Sequence, residues 1–247
     1  FDANGNYLAG WGSYGAGNGQ FASPKGMAID TAGNIYVADT DNHRIKKFAP
    51  PSDNQAGSPH QFVASYGNSG AQDGQFNLPH DVAVDGSGNI YVADSFNHRI
   101  QEFSSSGTFL KKWGTQGSAT EQFAGPRGIA IDGGGTLLIA DTRNNRIQKF
   151  TAEGQFITDF GSSGTGAGQF TDPWGIAVAP NGKVYVTENK NHRVQVFTPV
   201  TQIDKTKAII VAGSGPFLGN DLWDATQMAA NLAYRSLNNQ GFTKQTI

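Results

Sequence analysis

Four copies of one 25-residue segment begin at Pro24, Pro79, Pro126 and Pro173, and they constrain the fold more than any other feature. They read PKGMAIDTAGNIYVADTDNHRIKKF, PHDVAVDGSGNIYVADSFNHRIQEF, PRGIAIDGGGTLLIADTRNNRIQKF and PWGIAVAPNGKVYVTENKNHRVQVF. Their starts are 55, 47 and 47 residues apart, and the copies end on Phe48, Phe103, Phe150 and Phe197. Between copies an apolar run closes on Gly12, Gly67, Gly114 or Gly161, each 12 residues before the next proline. The one irregularity is eight extra residues between Phe48 and Gly67, which lengthens a single connecting loop. A chain that repeats at such an interval builds one supersecondary unit many times and buries each against its neighbour.

Each unit holds three short β-rich runs plus the run before glycine, separated by turn formers such as Ala32-Gly33-Asn34 and Ser87-Gly88-Asn89. Four strands in about 47 residues fit a propeller blade, while helical repeats would need longer segments of 3.6-residue period. Runs such as IYVAD are apolar on both faces, as a blade sandwiched between two others requires. The pattern P-x-G-I-A-V-D followed by G-N-I-Y-V-A-D-T-x-N-H-R-I-Q-x-F resembles the NHL repeat, and residues 1–197 carry it. That resemblance implies an all-β propeller, with an innermost strand near 26–30, strands near 35–39 and 44–48, and the run before glycine outermost. It also implies a ring of five or six blades, so the four copies are expected to be part of a larger ring. Alternatively, the leading run at 7–12 could complete the fourth unit and close a smaller one.

Antiparallel strands alternate in direction, so the entry to the innermost strand and the turn between the second and third strands share one face of the disc. On that face the residues after the prolines, Lys25, His80, Arg127 and Trp174, can converge near the axis. Asp41, Phe96, Arg143 and Lys190, each preceding the turn asparagine, form a second and wider ring. The copies agree almost everywhere except at these positions. A repeated framework with a divergent face is the pattern of a binding surface. Two cations, an imidazole and an indole near the axis suit an anionic or polar peptide-like ligand.

The recurring side chains read as framework instead. Asp39 with Arg44, Asp94 with Arg99, Asp141 with Arg146 and Glu188 with Arg193 occur in every copy, whereas a catalytic pair is needed once. His43, His98 and His192 occupy the same turn of separate blades and should not meet at one ion, so they are expected to hydrogen-bond the local backbone. Phe21, Phe76, Phe123 and Phe170 are expected to plug the core. Some propellers near the NHL group are lyases with zinc held by axial histidines. His80 resembles one of these, but its counterparts Lys25, Arg127 and Trp174 cannot complete a three-histidine site. No metal, cofactor or catalytic residue is therefore expected in the propeller, and a lyase or lactonase acting at the channel is the alternative reading. A third is an architectural spacer.

A formal net charge of -2 without any Lys/Arg run gives no electrostatic reason to expect nucleic acid. No apolar stretch reaches the length of a membrane span, and there are no cysteines. The compartment stays open, with a secreted or cell-surface setting favoured. Because residue 1 is Phe and the methionines are Met27 and Met228, the chain is expected to be a piece of a longer polypeptide. After Phe197 the repeat stops. Residues 198–206 read as a linker, and residues 207–247 as a strand, a loop and an amphipathic helix, the opening of an α/β unit. IIVAGS with DATQMAANLAYRSLNNQGFTKQTI is similar to the first strand and helix of legumain-like, caspase-fold cysteine peptidases. That similarity implies that the catalytic His and Cys would lie farther along.

Overall fold

The structure, a computed structural model, describes residues 4–52 and 58–198. The legumain-like segment lies outside the described residues. The rest is a four-blade β-propeller. Blade 1 comprises β1 (Pro24–Ile29), β2 (Ile35–Asp39), β3 (Arg44–Ala49) and β4 (Gln61–Tyr66). Blade 2 comprises β5 (Pro79–Val84), β6 (Ile90–Asp94), β7 (Arg99–Phe103) and β8 (Phe109–Trp113). Blade 3 comprises β9 (Pro126–Ile131), β10 (Leu137–Asp141), β11 (Arg146–Phe150) and β12 (Phe156–Phe160). Blade 4 has β13 (Pro173–Val178), β14 (Val184–Glu188) and β15 (Arg193–Phe197), without a fourth strand among the described residues.

Within each blade the strands pair antiparallel in chain order, and β1, β5, β9 and β13 lie side by side as the inner strands. Because β2, β6 and β10 are covered on both faces, every one of their residues is buried, which explains the absence of polar alternation in IYVAD and LLIAD. Phe21, Phe76, Phe123 and Phe170 each pack on the phenylalanine that ends their own repeat, at ring separations of 5.6, 5.5, 5.7 and 5.6 Å. Phe76, Phe123 and Phe170 are fully buried, so each removes a whole aromatic surface from water, a contribution of roughly 1.5–3 kcal/mol.

Residues 7–12 do not complete blade 4. They form no strand, and Trp11 instead stacks on His60 at 4.9 Å and packs edge-on against Phe48 of blade 1 at 6.2 Å. The outward face of blade 4 is correspondingly open. Ile45, Ile100 and Ile147 are fully buried by the next blade, whereas their equivalent, Val194, is 57% exposed.

Candidate functional site

Inner strands start with a β-bulge. The register against the second strand shifts between Pro24 and Met27, between Pro79 and Asp81, opposite Ile139 and Asp141 in blade 3, and between Pro173 and Ile176. A regular strand sends consecutive residues to opposite faces, but a bulge re-aims them. The two residues after each proline therefore line one cavity of about 290 Å³: Lys25-Gly26, His80-Asp81, Arg127-Gly128 and Trp174-Gly175.

Trp174 is the hub of this cavity. The Arg127 guanidinium lies 3.8 Å from its ring centroid, Lys25 Nζ 5.7 Å, and the His80 ring 5.6 Å. Stacking of a guanidinium or ammonium on indole is attractive and leaves the cationic hydrogens free for a ligand. His80 is buried, and its pKa is pushed down to about 4 by desolvation, with Lys25 and Arg127 adding repulsion and Asp41 opposing them. At neutral pH it presents an uncharged imidazole between two cations.

The wider ring divides. Arg143 lies 5.8 Å from the exposed Phe96 ring, and both line a small notch with Ser95, His98, Gly125 and Arg127. Arg127 thus belongs to both the notch and the axial cavity. Asp41 instead accepts a hydrogen bond from Ser23, and Lys190 pairs with Asp172 at 3.4 Å. Neither lines the cavity or the notch. Beyond the four expected residues the cavity is lined by Gly26, Asp81, Gly128 and Gly175, and Asp81 is the one side chain among these, legible in the sequence as an aspartate where the other three copies have glycine.

The histidines serve the frame differently from the expectation. The His43 and His98 rings do not bond the local backbone. His43 Nδ1 accepts the Leu78 N–H at 3.1 Å and His98 Nδ1 the Gly125 N–H at 3.0 Å, both in the next blade. Asn145 Oδ1 does the same for Asp172 N–H at 3.0 Å. All three residues hold left-handed backbone (φ 53°, 54° and 54°), which aims their side chains across the joint. Thr40 and Thr142 hydroxyls add a second clasp, donating to the Pro79 and Pro173 carbonyls at 2.8 Å.

Desolvation, with Arg143 adding repulsion, holds His98 below its ordinary value of 6.5. The unfolded chain therefore binds the proton more readily, so this clasp is fully present above about pH 6.5 and weakens as pH falls below it. Asparagine, which blade 3 uses, keeps the acceptor at any pH. A His98→Asn variant is expected to match the parent within about 1 kcal/mol at pH 8, and to lose less stability between pH 6.5 and pH 5 in urea melts. Parallel pH profiles would contradict the clasp.

Model matching shows the same periodicity. The NHL repeat model matches residues 21–48, 76–103, 123–150 and 170–197. The chain carries four NHL repeats. Among relatives, it is 36% identical over 105 residues to Protein brain tumor of Drosophila melanogaster, covering 42% of this chain and 9% of that protein. It is 36% identical over 96 residues to peptidylglycine alpha-amidating monooxygenase of Rattus norvegicus, covering 38% of this chain and 10% of that protein. The chain thus spans about a tenth of the length of these two relatives. Among solved structures, a streptogramin B lyase superposes with a TM-score of 0.50 at 17% identity, over 75% of this chain and 56% of that one. At that identity the likeness is one of fold alone. No helix of the described residues is long and apolar enough to cross a membrane.

Proposed function

We propose that this NHL propeller is a binding module whose axial cavity and adjoining notch take an acidic, peptide-like segment of a partner protein. The observation that carries this reading is the meeting of Lys25, His80, Arg127 and Trp174, one from each blade, around a single cavity. Cations stacked on an indole offer both charge and a flat apolar surface, the combination that dominates interface energetics. Arg127 links the cavity to Phe96 and Arg143, so an extended ligand can run from the axis toward the rim. Lys190 and Asp41, engaged by Asp172 and Ser23, supply the periphery. No nucleic acid, cofactor or metal is part of this reading, and neither is turnover. Service to a legumain-like domain rests on the sequence of residues 207–247 alone.

Selection of a random peptide display library on the immobilised chain tests this. The parent is expected to enrich sequences rich in Asp, Glu and aromatic residues. A Lys25→Ala, Arg127→Ala, Trp174→Ala variant with an unchanged melting profile should weaken selected peptides at least tenfold in calorimetry. Unchanged affinity would place binding elsewhere.

A second reading, a propeller lyase, draws on the neutral His80 beside Asp81, whose carboxyl burial raises toward neutrality. One tightly held divalent metal per chain, lost on His80→Ala, would favour it over the binding module. An architectural spacer would show neither ligand nor metal.

A further inference from the structure

We infer that Asp81 makes the axial cavity selective for a ligand carrying an ammonium group together with its acidic groups, such as an acidic peptide with a free amino terminus. This rests on the binding reading above and names the ligand class of the same cavity.

Asp81 is the one acidic residue among the eight that line the cavity. It replaces the glycine of the other three copies, so the fold does not need a side chain there. Room for it comes from blade 1: a Cβ on Gly26 would lie 1.9 Å from Asp81 Oδ1, so only glycine lets the carboxylate lie against that strand. The carboxylate is held rigidly, Oδ1 accepting the Val82 N–H at 2.9 Å and Oδ2 the Ile129 N–H at 3.1 Å of blade 3. Each oxygen keeps acceptor capacity beyond its backbone bond. Among the described residues no cation lies within ion-pair distance of it.

That isolation separates Asp81 from the acids of the arginine braces. Asp39, Asp94, Asp141 and Glu188 each have an arginine partner at 2.5–2.8 Å. Burial raises the Asp81 pKa to about 7, against the lowering effect of its two backbone bonds. A half-buried carboxyl without a counter-ion is held at a cost to the fold, and a ligand cation would supply what is missing. Lys25 and Arg127, stacked on Trp174, remain available for the ligand's carboxylates. The cavity therefore has separate receivers for the two signs of charge.

The test is calorimetric titration of the chain with the peptide Glu-Tyr-Glu, amino terminus free or acetylated. The free form is expected to bind the parent at least tenfold more tightly than the acetylated form. In Asp81→Gly, which installs the residue of the other copies, and in Asp81→Asn, the two forms should come within twofold of each other. Equal binding of both forms by the parent, or a preference that persists in both variants, would overturn the role of Asp81 and leave the binding module standing. Failure of both peptides to bind the parent would instead overturn the acidic-peptide reading on which the inference depends. Near-ultraviolet circular dichroism of both variants confirms folding before titration.

Discussion

Arg99→Ala is expected to destabilise the propeller by about 3–5 kcal/mol in urea or thermal unfolding, because it leaves a buried carboxylate without its partner. Asp94 is fully buried, pairs with Arg99 Nε at 2.7 Å, and also accepts the Asn77 N–H and an Asn97 side-chain bond. Arg99 in turn donates to the carbonyls of Ala71, Gln72 and Gln75, so one guanidinium ties the loop entering the blade to the turn between its second and third strands. Removing it leaves the carboxylate without its charge partner and takes the side-chain donor from the Ala71 carbonyl, while Gln72 O keeps the Gln75 N–H and Gln75 O keeps the Gln101 side chain. Every blade repeats this brace, but the arginines differ in exposure, from 7% at Arg99 through 12% at Arg146 and 18% at Arg44 to 30% at Arg193. The cost of alanine should fall in that order, since solvent screens the orphaned charge increasingly well. A larger loss at Arg193 than at Arg99 would refute the account.

The second large effect concerns the glycine that closes the outer run. Gly114 has φ of 95°, and a Cβ there would lie 2.4 Å from the Phe123 ring and 3.2 Å from the His98 carbonyl. Backbone strain of about 1–3 kcal/mol and overpacking of similar size should make Gly114→Ala cost about 2–5 kcal/mol. Phe123→Ala alone empties a fully buried site and should cost about 3–5 kcal/mol. The double variant should cost clearly less than the sum, because the ring that clashes with the new methyl is gone and the methyl fills part of the space left behind. Additive losses would show that the ring and the glycine do not meet.

Much of this frame is legible in the sequence. Repetition located the strands to within two residues, and the five-residue spacing of Asp39 to Arg44 lets the pair close around the turn that joins two neighbouring strands. The phenylalanine of GQF and EQF and the one ending each copy were likewise recognisable as core, because each occurs in every unit. The axial placement of Lys25, His80, Arg127 and Trp174 followed from strand parity. Contacts between copies are not legible in this way. The histidines reach 35 and 27 residues along the chain into the next blade, and no pattern within one copy records that.

Within one repeat, strand order, turn positions and the arginine brace follow from the residues of that repeat. How the repeats meet follows from their packing, since even the aromatic plugs Phe76 and Phe170 seat against the preceding blade. Only the tertiary structure shows that a bulge turns two consecutive residues toward one cavity, that Trp174 draws Arg127 and Lys25 onto its ring, and that Asp81 lies against Gly26 of one blade while bonded to Ile129 of another. The physical reason is that side-chain charge and burial depend on neighbours supplied by other blades. A glycine replaced by aspartate is a single letter in the sequence; three inner strands packed around it make it a half-buried carboxylate without an ion-pair partner, lining a cationic cavity.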